Sequence, residues 1–158
     1  MISLRKITLE NRRAIFNLEV SEEQRRFVAS NLSSVASCYV LATNEGCPLP
    51  FAIYADEVPV GFVMLTYGIT GYDLPSIADD SYCILRLMID KNHQNQGYGL
   101  EAMEKSWNIY VPSLQGLHFI VGLVMSQKTS AQGKLYESFG FRENGEICHN
   151  EPITVLPL

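Results

Sequence analysis

Apolar residues in this chain recur with two periods, and the places where the period changes predict its elements. Residues 2–9, ISLRKITL, alternate apolar and polar side chains as an edge strand does. Residues 10–32 switch to helical spacing and predict one broken helix or two short ones. Ser21, followed by Glu22 and Glu23, is an N-cap candidate for the second. Residues 33–50 are the least patterned, interrupted by Gly46, Pro48 and Pro50. Residues 51–69 predict a hairpin turning at 56–59, and residues 70–81 a loop. Tyr82 to Ile89 is apolar apart from Arg86, as expected of a strand covered on both faces. After a polar turn, Leu100, Met103, Trp107 and Tyr110 return at helical spacing. Residues 117–125 predict a second apolar strand. Residues 129–139 predict a helix ended by Gly140 at the C′ position, and the rest a hairpin turning near 150–152. The order β, two helices, β-hairpin, β-α-β, α, β-β is that of a mixed α/β fold. Its βαβ unit over residues 82–125 should be right-handed, with parallel strands.

Composition narrows the class. A length of 158 residues suits one domain, 1–158, with a full-sized core. The net charge of -5 argues against nucleic acid as a partner and is compatible with a cationic small molecule. Cys38, Cys47, Cys83 and Cys148 show no C-x-x-C spacing, so free thiols in a reducing cytoplasm are expected. His93, His118 and His149 are scattered and predict no metal site. Residues 1–10 lack the pattern of a signal peptide, and no apolar run is long enough to span a membrane, so no membrane partner is expected.

The candidate chemistry lies after the buried strand, in KNHQNQGYG (residues 91–99). The first amides of a helix have no internal acceptor, and the helix dipole is positive there. Gly97 and Gly99 let the backbone approach an anion closely, so the turn can bind a pyrophosphate. Gln94 and Gln96 can add neutral side-chain donors. Residues 97–102, GYGLEA, also fit the G-x-G-x-x-A dinucleotide fingerprint. That fingerprint places its first glycine directly after the strand and an acid about twenty residues on, and neither holds here. A Walker loop is excluded because no Gly-Lys-Ser/Thr follows the turn.

Two segments together resemble the GNAT N-acetyltransferase superfamily. Gln94-Asn95-Gln96-Gly97-Tyr98-Gly99 matches its Gln/Arg-x-x-Gly-x-Gly/Ala motif. GKLYESFGFRENGE (residues 133–146) is similar to its late helix, which carries a tyrosine and then a glycine-phenylalanine break. The likeness covers nearly the whole chain, and LRKITLENRRAIFNLEVSEEQ near the start looks like the diamine and spermine/spermidine branch. The resemblance implies a twisted, mostly antiparallel central sheet with one parallel βαβ pair, flanked by helices. It also implies transfer of an acetyl group from acetyl-CoA to a small-molecule primary amine, a polyamine or diamine. Leu87, Met88 and Ile89 would lend main-chain hydrogen bonds to the pantetheine arm, in a gap between splayed parallel strands. The amides of Gln94, Asn95, Gln96, Gly97, Tyr98 and Gly99 would hold the pyrophosphate, and Tyr136 would protonate the departing thiolate. A thiol of pKa near 8–9 is within reach of a phenol near 10.

The deprotonating base has several candidates, among them Glu19, Glu22, Glu23, Asp73, Asp79 and Asp80, each also readable as a solvated surface charge. Arg86 is read as a paired charge at the sheet edge in preference to a lining of the acceptor pocket. Two positions depart from the family pattern: Leu85 stands where the polyamine branch often has a carboxylate, and Thr129 where the family usually has asparagine. They motivate the alternative of a non-catalytic CoA-binding or regulatory module; a protein N-acetyltransferase, which an open acceptor groove would favour, is a separate alternative. The ordered edges of the final hairpin predict a homodimer.

Overall fold

The computed structural model describes residues 1–44, 46–67, 78, 81–110, 119–123, 131–148 and 151–157. The strands are β1 (Ile2–Lys6), β2 (Cys47–Ala55), β3 (Val58–Tyr67), β4 (Tyr82–Ile89), β5 (Phe119–Leu123), β6 (Arg142–Cys148) and β7 (Glu151–Pro157). The helices are α1 (Arg12–Phe16), α2 (Asn31–Thr43), α3 (Tyr98–Tyr110) and α4 (Ala131–Phe139), with a 3-10 turn at Glu22–Gln24. All seven strands form one sheet in the order β1-β2-β3-β4-β5-β7-β6. Among the described residues β4 and β5 pair in parallel and every other neighbouring pair is antiparallel. The mixed, mostly antiparallel sheet with one parallel βαβ pair is therefore the observed architecture.

The sheet carries a core on each face. Ile15 of α1 and Cys38 and Leu41 of α2 pack on Ala52, Tyr54, Phe62, Met64, Cys83 and Met88. Ala102 and Met103 of α3 and Tyr136 of α4 pack on the opposite face, against Ile53, Val63, Leu65, Ile84 and Leu87. Successive residues of β3 point to opposite faces, and both faces are covered, which is why the strand reads as a continuous apolar run. Each fully buried side chain of this size contributes roughly 1.5–3 kcal/mol, so the two layers together fix β3 and β4 as the centre of the molecule.

Residues 33–50 hold more structure than their pattern predicts. The buried positions of α2 are Asn31, Ser34, Cys38 and Leu41. They fall on one helical stripe, but half of them are polar, so hydrophobic periodicity does not reveal it. The start is set by Ser30, whose Oγ accepts the Ser33 amide at 3.2 Å. Ser21 instead opens the three-residue 3-10 turn, where its amide donates to Gln24 Oε1 at 3.2 Å. Strand β2 runs through Pro48 and Pro50. Strand β1 pairs only with residues 51–55, so both prolines lie where one edge of β2 is open and a missing N–H leaves no ladder bond unmade. The predicted hairpin turn is the two-residue turn Asp56-Glu57, with Asp56 at φ 51°. The turn of the terminal hairpin and the start of the helix predicted from 129 lie outside the described residues.

Candidate active site

The site is built around β4. Its register with β3 shifts at one point: Met64 pairs with Arg86, whereas Leu65 pairs with Ile84. Leu85 is therefore the extra residue of a β-bulge, which bends the strand and increases its local twist. Among the described residues the parallel ladder with β5 covers Tyr82, Cys83 and Ile84, opposite Ile120, Val121 and Gly122. Arg86 to Ile89 keep their partners on β3 but have none on β5 among the described residues. Alternate main-chain groups of this stretch, which includes Leu87, Met88 and Ile89, thus point away from β3. The bulge at Leu85 directly follows Ile84, the last residue of β4 paired with β5 among the described residues.

The turn after β4 is held from below and open above. Asp90 is 6% exposed. Its Oδ2 accepts the Glu19 amide at 2.9 Å, and its Oδ1 accepts the amide and the side-chain Nδ2 of Asn92, each at 3.0 Å. Burial alone raises the pKa of this carboxyl. The Glu19 and Asn92 donors, with His93 nearby, outweigh it and hold the group below the usual carboxylate range. Asn95 at φ 62° and Gly97 at φ 78° turn the chain into α3. The first bond of α3 is from the Glu101 amide to the Gly97 carbonyl at 3.2 Å. The amides of Asn95, Gln96, Gly97, Tyr98, Gly99 and Leu100 donate to no described protein acceptor. Nothing lies within 4 Å of a Cβ placed on Gly97, so the turn has open space beside this glycine. An anion fits such a cradle.

The two glycines serve different ends. A Cβ on Gly99 would stand 3.3 Å from Leu135 Cδ2 and 3.8 Å from Ile89 Cγ1, so Gly99 lets α3 pack closely on α4 and on the end of β4. Gly97 supplies the left-handed backbone. Gln94 also differs from the sequence expectation. Its Nε2 donates to Gln24 Oε1 and to the Ile89 carbonyl, both at 2.9 Å, so its side-chain donors are engaged within the protein. Lys91 is likewise engaged, with Nζ 3.2 Å from Glu19 Oε2. The cradle is made of main-chain dipoles.

Tyr136 lies on α4, one residue after the Leu135 that packs over Gly99. It is 1% exposed, and its ring stands edge to face on Phe141 with centroids 5.2 Å apart. It shares a core cluster with Leu87 of β4 and Ala102 and Met103 of α3. The fold thus brings Tyr136, the end of β4 and the amide cradle to one region.

Other candidates are placed elsewhere. Arg86 is not a paired charge at the sheet edge, because β4 is the fourth of seven strands. Its Nη1 donates to the Leu85 carbonyl at 2.6 Å, and its Nε is buried without a partner among the described residues. Glu19 lies between Lys91 and Arg25, whose hydrogen bonds and charge hold its carboxyl below the usual range. Glu22 pairs with Arg25 at 3.0 Å. Asp73, Asp79, Asp80 and Thr129 lie outside the described residues. Among the described residues no group of three His, Cys, Asp or Glu side chains is arranged to hold a metal ion, and no helix is long and apolar enough to cross a membrane. Sequence reading missed Asp90 and Gln24. The only signal for Asp90 was a lone acid ending a buried strand, and for Gln24 the Ser-x-x-Gln spacing of a capping box.

Comparison with known proteins gives the family and the fold. Residues 48–143, more than half of the chain, match the family model of the acetyltransferase (GNAT) domain. The chain is 28% identical over 156 residues to a probable spermine N(1)-acetyltransferase of Bacillus subtilis subsp. natto, covering 94% of this chain and 93% of that protein. Its fold is shared with the PaiA N-acetyltransferase of Thermoplasma acidophilum in complex with coenzyme A, at TM-score 0.70 and 16% identity over 100% and 99% of the two chains. It is also shared with the spermidine N-acetyltransferase of Vibrio cholerae in complex with CoA and spermine, at TM-score 0.65 and 17% identity over 99% and 94%. With a family match that spans β2 to the start of β6 and takes in the bulged strand, the amide cradle and Tyr136, this chain belongs to the GNAT acetyltransferases.

Proposed function

We propose that residues 1–158 form one N-acetyltransferase domain that moves an acetyl group from acetyl-CoA to a primary amine of a small molecule of the polyamine or diamine class. The observation that carries the reading is the coincidence of an amide cradle, Asn95 to Leu100, that has no described acceptor, with a β4 edge that has no partner on β5 beyond Ile84 among the described residues. The cradle suits a pyrophosphate, and that edge suits an amide-bearing arm that pairs as a strand does. The Ile89 carbonyl is engaged by Gln94 and the Met88 carbonyl faces Gly61 of β3, so Leu87 supplies the acceptor on that edge.

Acetyl-CoA supplies the thioester whose acetyl group an amine takes by direct attack. A main-chain N–H near the bulge, aimed at the developing oxyanion, lowers the barrier by roughly 3 kcal/mol. Tyr136 Oη gives its proton to the leaving sulfur, the proton shed by the amine nitrogen as the amide forms restores the phenol, and burial limits exchange of the phenol with bulk water. The acidic balance of the chain and the spermine and spermidine enzymes among its relatives support a cationic acceptor. We further read the enzyme as a cytoplasmic homodimer without a metal; Cys38, Cys47, Cys83 and Cys148 are free thiols.

The acceptor is tested by incubating the chain with acetyl-CoA and, in turn, spermidine, spermine, a short diamine and a lysine-containing peptide, following thiol release. Preference for a polyamine or diamine is expected. Preference for the peptide would move the acceptor to proteins, and silence with every amine while CoA still binds would make the chain a non-catalytic CoA-binding module.

A further inference from the structure

The segment between α1 and α2 is fastened to the cradle loop by four contacts from residues distant in sequence. The Glu19 amide donates to Asp90 Oδ2 at 2.9 Å, and the Lys91 amide donates to the Glu19 carbonyl at 2.7 Å. Lys91 Nζ stands 3.2 Å from Glu19 Oε2, and Gln94 Nε2 donates to Gln24 Oε1 at 2.9 Å. The same Gln24 oxygen takes the Ser21 amide at 3.2 Å, so the 3-10 turn itself holds the Gln24 side chain in place. The other bond of Gln94 Nε2, to the Ile89 carbonyl, ties the loop back to the end of β4.

This arrangement answers a physical difficulty in the cradle. Asn95 and Gly97 both sit in the left-handed region, and the amides from Asn95 to Leu100 have no described protein acceptor. Helix α3 itself aligns the amides of Tyr98, Gly99 and Leu100, but those of Asn95, Gln96 and Gly97 precede its first turn. The lower half, Asp90 to Gln94, is fixed from outside by residues 19–24. Exposed ion pairs such as Lys91–Glu19 contribute little. The half-buried amide bridge and the buried Asp90 carboxylate carry the constraint.

We propose that residues 19–24 are a positioning strap for the anion cradle, and that Gln24 is its positioning residue. Gln24 sets CoA affinity through Gln94 and does not itself touch CoA. The strap prepares the loop before the ligand arrives, which removes part of the ordering cost of binding. The inference rests on the reading that the cradle takes the pyrophosphate of CoA.

The test is a double-mutant cycle on CoA binding, measured by calorimetry with Gln24→Ala, Gln94→Ala and the double variant of the full chain. Loss of one such hydrogen bond corresponds to about three- to tenfold weaker binding. Gln24→Ala is expected to bind CoA that much more weakly, and the double variant no more weakly than Gln94→Ala alone. Acetyl transfer from acetyl-pantetheine, which lacks the pyrophosphate, is expected at the wild-type kcat/KM in Gln24→Ala. CoA affinity unchanged in Gln24→Ala, additive losses in the cycle, or an equal loss with acetyl-pantetheine would overturn the strap while leaving the cofactor reading standing. Failure of the wild-type chain to bind CoA would overturn both.

Discussion

The amide of Phe141 donates to the carbonyl of Tyr136 at 3.0 Å, and the rings of the same two residues meet edge to face at 5.2 Å. Gly140, between them at φ 107°, donates to the Glu137 carbonyl at 3.0 Å. These bonds form a Schellman closure of α4, and its accompanying apolar contact is made by the proposed acid itself. The sequence Tyr136-Glu137-Ser138-Phe139-Gly140-Phe141 therefore ends a helix and fixes the tyrosine in one step.

Gly140→Ala is expected to lower stability by about 1–3 kcal/mol, because alanine at this backbone angle is strained. The new Cβ would also stand 3.3 Å from Leu156 Cδ1, a side-chain end that can move, so the backbone strain dominates. A urea titration reads the loss, which should appear as a lower midpoint with an unchanged slope.

Gly97→Ala and Gly99→Ala should separate binding from packing. Gly97 has open space around it and a left-handed backbone, so alanine there disturbs the cradle directly. Gly97→Ala is expected to weaken CoA binding about tenfold, with stability lower by about 1 kcal/mol. Gly99→Ala meets the end of Leu135 and is expected to weaken CoA binding less than Gly97→Ala does. Calorimetry on both variants decides the order.

Asp90 gives the fold an acid-sensitive anchor. Burial acting alone would raise its pKa, but the Glu19 and Asn92 donors and His93 prevail and lower it. A carboxyl lowered in the folded state stabilises the fold above its unfolded value of about 3.9. That stability is lost as pH falls through the lowered folded value. Wild-type protein should therefore lose more unfolding free energy than Asp90→Asn when urea titrations are compared at pH 6 and near pH 3.

Much of the fold was legible because the strands announce themselves. Tyr82 to Ile89 is apolar on both faces, and the hairpin of β2 and β3 turns where Asp56 interrupts the run. Helix α2 was not legible, since Asn31 and Ser34 occupy buried positions of its stripe and mimic a solvated segment. The cradle was legible from Gly97 and Gly99, but the sequence does not reveal that Gly99 answers to Leu135 on another helix. The engagement of Gln94 by Gln24 joins residues 70 positions apart, and nothing local encodes such a pair. The central placement of Arg86 follows from strand order, which periodicity along the chain does not specify.

The most direct test of the account is the rate of acetyl transfer to spermidine by the wild-type chain and by Tyr136→Phe, each saturated with acetyl-CoA. Removing only the phenol oxygen leaves the Phe141 ring contact in place. The account predicts thiol release by the wild type and a kcat about 10²–10⁴-fold lower in Tyr136→Phe, with CoA affinity unchanged. Equal rates in the two proteins would contradict the role of Tyr136, and absence of transfer by the wild type to spermidine or any other amine would contradict the proposed activity.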